Sequence, residues 1–571
     1  MLKKLNGSNI PRANIIRKDP ALFSALVAIW FSLAIFIFLP LIRLLFVTFF
    51  INGSPSLANL TKILRKAYNV RALYNSIFLA TTVSLAGTII GYLFALAVTR
   101  TTWPKAIKWF LSAVTILPLI SPPFTSSISL TLVLGPNGIL LKALGLEKLN
   151  FYGFWGTWLS ETLTYFPVAF MVLTAILNTM DANLDDAALS LGASKTRMFR
   201  TVTVPLSMPG IANSILLLFG SSLADFATPL ILGGHTFPVL PTQAYLQITG
   251  MYDLKGGASL SFLLLVPALV VFLFQRLLLG KKSYVTVTGK SGARSLFAHL
   301  PPWIEMLTAA AAILIGTFIL YLYFIILQGS FVKIWSVDNS FTFDHFAYVF
   351  THGRKAITDT LLIAITSTIL GSLLAVIIGY VIQRKKFASR QVLEFSSMLN
   401  YALPGTVVGI AYILAFNEKP ILLTGTMTIL VAAYVFRYYA TGIRSVIASL
   451  QQIDPALEEA SASLGASTTR TFFQITVPLI VPAVLAGMRY LFIHCMTAIS
   501  ATIFLVSVRW TLLTTRILES MTELQFSQAS AFSIVLIVLV FAADALMLWA
   551  MKLTTRKLGV SQEFQYDKTS A

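Results

Sequence analysis

The chain has 571 residues, of which 57% are hydrophobic and 11% charged, and it carries a formal net charge of +20. A soluble globular protein has about 25% charged residues, so this composition excludes an ordinary soluble protein and indicates a helical membrane protein. The excess of Lys and Arg is then explained by cytoplasmic loops rather than by nucleic-acid binding.

Apolar runs of the length that a helix needs to cross a bilayer recur along the chain and predict twelve spans in two sets of six. The first run follows a basic N-terminus and is too long for a signal-peptide core, so we expect it to be retained. Prolines in the third run of each set permit those helices to bend. The predicted spans lie near 21–50, 72–98, 107–134, 154–178, 207–232, 258–279, 303–328, 357–382, 392–416, 422–446, 481–507 and 529–553.

The two sets of spans form two similar halves. A polar stretch, 281–300, is predicted to be a cytoplasmic linker between a first domain, 1–280, and a second domain, 301–571. Lys and Arg are concentrated in alternate loops, beginning with the N-terminal segment. The first outer loop, with Lys62, Arg65, Lys66 and Arg71, departs from this pattern, but the sum over all loops predicts both termini in the cytoplasm. The second span of each half ends at an arginine, Arg100 or Arg384. Because each half has an even number of spans, we expect parallel repeats related by an axis along the membrane normal.

One polar, glycine-broken segment occurs in both halves. The first repeated segment, 184–209, reads LDDAALSLGASKTRMFRTVTVPLSMP, and the second, 457–482, reads LEEASASLGASTTRTFFQITVPLIVP. Each lies between the fourth and fifth predicted spans of its half, on the cytoplasmic side. We expect a short helix, a turn and a second, amphipathic helix at the membrane surface. The alternative is an ordinary interfacial loop, which two copies in register disfavour.

Local signals predict the helix boundaries within each repeated segment. In the first, Asn183 can cap the first helix and Gly192 can end it. Ser194 can cap the second helix, which we expect Pro205 to end before the next span. The corresponding residues of the second copy are Asp454, followed by Pro455, then Gly465, Ser467 and Pro478.

This pattern of two acidic residues, alanine, a Gly-Ala-Ser turn, Phe and Val-Pro resembles the EAA loop of bacterial ABC importer permeases. In that family the loop forms a coupling helix that docks on a cytoplasmic ATPase. The resemblance implies an all-α protein of two fused permease domains with the type I importer fold, in the bacterial inner membrane. It also implies two ATPase subunits that bind ATP and Mg²⁺, and a periplasmic or lipid-anchored substrate-binding protein. The implied docking residues are Asp185, Asp186, Ala187, Gly192, Arg197, Phe199, Glu458, Glu459, Ala460, Gly465, Arg470 and Phe472.

The sequence contains no G-x-x-x-x-G-K-[ST] phosphate-binding loop, so we expect no ATP hydrolysis and no cofactor in this chain. A secondary transporter driven by an ion gradient would also use fused six-span repeats, but it has no need for two matching docking loops. A membrane-embedded enzyme would require clustered catalytic groups, and the five histidines are scattered along the chain.

Polar residues inside membrane spans are costly and are therefore candidates for the transport pathway. Asp225 lies in the fifth predicted span of the first half, where the second half has Ala498. The halves therefore differ along the pathway, unless Asp225 only stabilises the helix bundle. We expect Asp544, in the last span, to be structural. The predicted pathway residues are Asp225, Glu161, Arg437 and Pro229.

The stretch ADFATPLILGG, which begins at Ala224, resembles the ferric-iron branch of fused permeases. Iron(III) prefers hard oxygen ligands, which Asp225 and Glu161 could supply. An anionic phosphonate would instead be favoured by Arg437. Iron(III) is the preferred substrate on this basis, and a phosphonate, a sugar phosphate and a thiamine-like solute remain alternatives.

Overall fold

The computed structural model describes residues 20–557, except for 136–137, 144, 146–149, 280–299 and 386. The predicted linker 281–300, apart from its last residue, lies outside the described residues, as do both termini. The domain boundaries and the orientation of the termini therefore stay predictions.

The first half is almost entirely helical. Its elements are α1 (Pro20–Leu33), α2 (Leu39–Phe49), β1 (Phe50–Ile51), β2 (Ser54–Pro55), α3 (Ala58–Leu64), α4 (Ala67–Arg100), α5 (Lys105–Ile120), α6 (Thr125–Leu134), α7 (Ile139–Ala143), α8 (Phe154–Thr179), α9 (Ala182–Ser190), α10 (Lys195–Met198), α11 (Val204–Ala224), α12 (Leu240–Thr249) and α13 (Leu254–Leu279). One-turn π-helices at Ala34–Phe38, Phe199–Thr203 and Pro229–Gly233 join or follow some of these helices.

The second half repeats this order. Its elements are α14 (Pro302–Ser330), β3 (Val332–Ile334), β4 (Asp338–Phe341), α15 (Asp344–Thr351), α16 (Arg354–Arg384), α17 (Arg390–Ala402), α18 (Gly405–Phe416), α19 (Met427–Gln452), α20 (Ala456–Ser463), α21 (Thr468–Thr471), α22 (Val477–Thr497), α23 (Thr502–Leu505), α24 (Leu513–Thr522) and α25 (Phe526–Lys557). A π-helix at Phe472–Thr476 joins α21 to α22. Strands β1–β2 and β3–β4 form two small antiparallel hairpins.

The prediction of twelve spans is only partly matched. Within the described residues, 9 helices are long and apolar enough to cross a membrane, or up to 11 if each of two bent pairs forms one span. Helix α19, which corresponds to the predicted span 422–446, is not among them; its 26 residues include Arg437 and Arg444.

The third span of each half is broken rather than continuous, which corrects the predicted ranges 107–134 and 392–416. The two helical parts are bent by 101° in the first half and by 105° in the second. The breaks occur at Pro122–Pro123 and at Pro404, where the chain lacks amide donors and the preceding residue avoids helical geometry. The expected bending at these prolines is therefore a sharp break.

The fifth span of each half also differs from its prediction. Helices α11 and α22 end at Ala224 and Thr497, because Asp225 and Ala498 adopt extended backbone geometry.

At the other end of the fifth span, the expectation that Pro205 and its counterpart Pro478 end the second helix of the repeated segment is wrong. The π-helices connect α10 to α11 and α21 to α22 without a break. A proline in the first turn of an α-helix is tolerated, since its missing N–H is not needed there.

The duplication holds residue by residue across the middle of each half. Helix α19 begins at Met427, 273 residues after α8 begins at Phe154. The same offset relates α11 to α22 and α12 to α24 at both ends of each helix. No insertion or deletion therefore separates 154–249 from 427–522, and each residue of one stretch has a defined counterpart in the other.

Each half packs its first span against the broken third span of the other half. The Tyr412 hydroxyl in α18 donates a hydrogen bond of 2.7 Å to the Phe36 carbonyl, which lies in the π-helix between α1 and α2. Conversely, the Tyr323 hydroxyl in α14 lies 2.5 Å from the Ser121 hydroxyl at the first break. The buried apolar core is continuous across both halves. The exchanged first spans thus join the halves into one helical bundle.

Candidate functional site

The first helix of each repeated segment is capped by an aspartate. Asp181 accepts a hydrogen bond of 3.0 Å from the Asn183 amide at the start of α9, and Asp454 accepts one of 2.9 Å from the Ala456 amide at the start of α20. The prediction that Asn183 is the cap is wrong, because the helix begins before it and Asp181 has the extended geometry of an N-cap.

The predicted glycine turn is confirmed in both copies. Gly192 and Gly465 have backbone φ angles of +80° and +82°. Residues other than glycine adopt such angles only at a steric cost. After the turn, the Ser194 hydroxyl accepts a hydrogen bond from the Arg197 amide, and the Ser467 hydroxyl accepts one from the Arg470 amide, each of 3.3 Å. The helix, turn and second helix therefore have the same geometry in both halves.

An ion pair, buried in the first half and partly buried in the second, ties each repeated segment to the second span of its half. Arg100 Nη1 lies 2.6 Å from Asp185 Oδ2, and both side chains are buried. In the second half Arg384 Nε lies 3.1 Å from Glu458 Oε1, while Arg384 Nη2 donates a hydrogen bond of 2.8 Å to the Ile453 carbonyl. Asp185 and Glu458, both in the predicted docking set, therefore position the helix and do not lie on its outer surface.

The outer surface of each repeated segment carries most of the other predicted docking residues. The exposed members are Asp186, Ala187, Gly192, Arg197, Glu459, Ala460, Gly465 and Arg470. The acidic side chains lie on the first helix and the arginines on the second, so both signs of charge are presented together. Such a surface can pair with a partner that carries complementary charges.

Four exposed leucines on this surface were missed by the sequence reasoning. Leu191 and Leu464 are 88% and 89% exposed, and Leu184 and Leu457 are also exposed. Each pair is spaced by seven residues, and the two pairs occupy identical positions in the repeat. The signal in the sequence was an apolar residue kept directly before the turn glycine in both copies. Exposed apolar side chains held in register indicate an interaction surface.

The phenylalanines of the predicted docking set are partly or fully enclosed by the bundle. Phe199 is only 8% exposed. The ring centroid of Phe472 lies 4.7 Å from that of Tyr380 in α16. Both residues begin the π-helix that connects the second helix of the segment to the fifth span. They therefore anchor the segment to the bundle at the point where it continues into α11 or α22.

Two carboxylates of the predicted pathway set, Glu161 in α8 and Asp225 after α11, lie beside each other in the first half. Both side chains are buried. Glu161 accepts a short hydrogen bond from the Ser222 hydroxyl. Asp225 Oδ1 accepts hydrogen bonds of 3.1 and 3.3 Å from the amides of Ala227 and Thr228. The structure thus brings together two pathway residues that are 64 positions apart.

The second half has a different set of groups at the corresponding positions. Tyr434 replaces Glu161, and its hydroxyl lies 2.6 Å from that of Thr502. Ala498 replaces Asp225, as the sequence predicts. Arg437 donates a hydrogen bond of 2.9 Å to the Leu403 carbonyl at the break of the third span. The first half is therefore acidic where the second half is neutral or basic.

Two further candidates inside the membrane spans, Pro229 and Asp544, are packed within the helix bundle. Pro229 is buried and begins the π-helix that ends at Gly233. Asp544 forms a bidentate ion pair with Arg489 in α22, with an Nη2–Oδ2 distance of 2.7 Å. The sequence reasoning did not single out Arg489, because the two residues are 55 positions apart. The pair joins the fifth and sixth spans of the second half.

In the described part of the chain, no group of three or more His, Cys, Asp or Glu residues could hold a metal ion. Glu161 and Asp225 supply two carboxylates, fewer than the six or so oxygen ligands of a hard cation in an octahedral site. The pair therefore does not constitute a closed site for iron(III) in this conformation.

Comparison with known proteins agrees with the two-fold repeat. A family described as "Binding-protein-dependent transport system inner membrane component" matches residues 87–284 and 367–560. The ferric transport system permease protein FbpB of Actinobacillus pleuropneumoniae is 34% identical over 94% of this chain and 79% of its own length. The putative ferric transport system permease protein FbpB 1 of Haemophilus influenzae is 35% identical over 87% of this chain and 80% of its own.

A shorter relative matches only part of the chain. The molybdenum transport system permease protein ModB of Escherichia coli K12 is 30% identical over 32% of this chain and 81% of its own length. A permease shorter than this chain thus aligns with about one third of it.

Proposed function

The chain belongs to the family of binding-protein-dependent transport system inner membrane components, as the multi-pass permease subunit of an ABC importer, and we propose that its substrate is iron(III). The observation that carries the substrate is the similarity, over most of the chain, to two permeases named for ferric transport. The carboxylates of Glu161 and Asp225 agree with it, because they are the hard oxygen ligands that iron(III) prefers.

We propose that the two repeated segments dock two cytoplasmic ATPase subunits, which bind ATP and Mg²⁺. Each segment presents two exposed leucines flanked by acidic and basic side chains, and this combination fits an apolar groove with a charged rim. The two copies have the same turn geometry, which supports one ATPase for each half. A separate substrate-binding protein would deliver the substrate from the opposite side of the membrane.

The proposed docking segments are mechanically connected to two spans each. In the first half, the ion pair between Arg100 and Asp185 joins the segment to α4, and the π-helix after Met198 joins it to α11. A movement of the docked ATPase would therefore shift the second and fifth spans together. The equivalent connections in the second half run through Arg384 and Glu458.

The proposed pathway lies along the helix breaks. Asp225 follows the end of α11, and Pro229 begins the next helical turn. Arg437 holds the carbonyl at the break between α17 and α18. Glu161 and Asp225 are buried in this conformation, so substrate would reach them only when the helices around the breaks move apart. Because Arg437 is positively charged, an anionic substrate such as a phosphonate is the second candidate.

We further propose that both termini are cytoplasmic and that the domains span 1–280 and 301–571, with the linker between them. This arrangement places most of the basic loops and both repeated segments on one side of the membrane, as the summed distribution of Lys and Arg favours.

The decisive experiment measures ATPase activity of the complex purified in lipid with its co-expressed partners. Binding protein loaded with Fe³⁺ is expected to stimulate hydrolysis, whereas unloaded protein and protein loaded with a phosphonate are not. If only the binding protein loaded with the phosphonate stimulates hydrolysis, the substrate is an anion and the assignment of iron(III) is wrong. Uptake that follows a proton or sodium gradient, with no co-purifying ATPase, would overturn the importer assignment in favour of a secondary transporter.

A further inference from the structure

We propose that Glu161 and Asp225 form a buried site for one exchangeable monovalent cation, H⁺ or Na⁺, between α8 and the end of α11. This inference concerns the permease itself and does not depend on which substrate is imported.

The donors that meet hydrogen-bond geometry do not reach all four oxygens of the two carboxylates. Ser222 donates to Glu161 Oε2, and two backbone amides donate to Asp225 Oδ1. The second oxygen of each carboxylate, Glu161 Oε1 and Asp225 Oδ2, is buried and has no hydrogen-bond partner among the described residues. Native proteins rarely leave a buried polar atom unsatisfied, and a carboxylate oxygen is the most costly case.

A third oxygen without a hydrogen-bond partner belongs to a neighbouring threonine. The Thr228 hydroxyl is completely buried, lies beside the Asp225 carboxyl and has no partner that meets hydrogen-bond geometry among the described residues. A hydroxyl oxygen is an ordinary ligand for a small cation, and it can also accept a hydrogen bond from a protonated carboxyl group. The Thr228 hydroxyl and the Tyr165 phenol face the Asp225 carboxyl and can each donate a hydrogen bond to it, but neither supplies the positive charge that two carboxylates need.

The charge of the pair also requires a cation. In the described part of the chain, neither carboxylate forms an ion pair with Lys, Arg or His. The titratable group that faces both is the phenol of Tyr165, in α8 one turn after Glu161. Adjacent carboxylates in an apolar interior repel each other and do not both remain ionised without a counter-charge. A shared proton or a bound Na⁺ supplies that counter-charge.

The site exists in only one of the two halves. At the corresponding positions the second half has Tyr434, Ala498 and Ala501, none of which carries a charge. A feature required only to hold α8 against α11 would be needed equally between α19 and α22, which pack in the same way. The acidic pair is thus an addition to the repeat rather than part of its scaffold.

The position of the site couples it to the shape of the fifth span. Asp225 is the residue at which α11 ends, and it also caps the turn that follows through the amides of Ala227 and Thr228. A movement that changes this break changes the separation of the carboxylates and hence their affinity for a cation. By reciprocity, cation binding then biases the conformation of the break.

The test uses the complete permease–ATPase complex in lipid nanodiscs, without binding protein or iron. Binding of ²²Na⁺ is measured by scintillation proximity, and protonated carboxyl groups are followed by their infrared band while the pH is varied. The variants are Glu161→Gln and Asp225→Asn, in which the amide oxygen still accepts the existing hydrogen bonds. Tyr434→Phe is the matched control at the equivalent position of the second half.

We expect wild type and Tyr434→Phe to show either saturable Na⁺ binding, at about one ion per chain, or a carboxyl band that titrates. Both acidic variants should lose that signal while remaining assembled. Na⁺ binding identifies the metal cation, and a titrating band without it identifies the proton. Absence of both signals in wild type, or their persistence in both acidic variants, would overturn the proposal. Since no iron is present, such a failure leaves the proposed substrate unaffected.

Discussion

Arg100 and Asp185 connect the end of the second span to the first repeated segment, with 2.6 Å between Nη1 and Oδ2 and both side chains buried. The corresponding pair in the second half, Arg384 and Glu458, has 3.1 Å between Nε and Oε1. Each pair joins the segment proposed to dock an ATPase to a helix that runs through the membrane bundle. The same connection is therefore made in both halves of the duplicated chain.

We expect Arg100→Leu to destabilise the complex, because it leaves the Asp185 carboxylate buried without its partner. The cost of breaking one member of a buried pair is about 3–5 kcal/mol. Thermal denaturation of the complex in lipid measures this loss. The double variant Arg100→Leu/Asp185→Leu should recover most of the stability but not the coupling of ATP hydrolysis to uptake. A single variant as stable as wild type would show that the pair is not an enclosed contact.

Leu191→Asp and Leu464→Asp should each weaken ATPase binding. These leucines are almost fully exposed at the turn of each repeated segment, so the substitution does not disturb the core. Replacing an apolar side chain at the centre of an interface by a charged one costs about 2 kcal/mol, or about 30-fold in affinity. Binding of the isolated ATPase to permease in nanodiscs measures the change.

The control for this experiment is Val508→Asp, which alters another exposed apolar residue outside both repeated segments. It should leave ATPase binding unchanged. Equal weakening by all three variants would indicate a general effect of surface charge, and the leucines would then lose their assigned role.

Gly192→Ala should loosen the turn of the first repeated segment. The residue has φ of +80°, and an alanine there costs about 1–2 kcal/mol. Amide hydrogen exchange in α9 should accelerate by about 5- to 30-fold. Gly220→Ala is the matched control, since Gly220 lies within α11 with open space around its Cα and no positive φ. Acceleration in the control but not at Gly192 would contradict the role of the turn.

Arg437→Met should reduce uptake without releasing the ATPase. The substitution keeps the side chain long and unbranched but removes the donor to the Leu403 carbonyl at the break of the third span. A hydrogen bond from a charged donor is worth about 1.5–3 kcal/mol, and its loss leaves the broken helix less fixed. Substrate uptake into proteoliposomes and co-purification of the ATPase provide the two readouts.

Arg444→Met serves as the control for that variant, because Arg444 lies on the same helix but is exposed. We expect normal uptake from it. If Arg437→Met also transports at the wild-type rate, then Arg437 has no part in the pathway.

The repeated segment could be predicted in detail because its signals are local. A glycine that permits positive φ, serines that cap a helix and acidic residues in a first turn act within a few positions of each other. The errors at Asn183 and Pro205 concern which of several competing local signals prevails. Asp181 has the extended backbone geometry of an N-cap and accepts the Asn183 amide, and the π-helix before Val204 allows Pro205 to lie in a first helical turn.

The contacts between distant residues could not be predicted in this way. Nothing in the sequence near Arg100 indicates that its partner lies 85 positions later, and the same holds for Glu161 and Ser222, 61 positions apart. The exposure of Leu191 also depends on how α9 and α10 pack, since an apolar residue in a short helix is more often buried.

The sequence by itself determined that the chain is a duplicated helical membrane protein with two equivalent surface segments. Composition, apolar run length and repeat spacing are properties of the chain that need no knowledge of packing. Only the tertiary structure decided that the third spans break, that Asp185 and Glu458 pair with arginines of the second spans, and that Glu161 and Asp225 meet. These features arise where helices from separate parts of the chain come into contact, and burial then fixes which charges must be compensated.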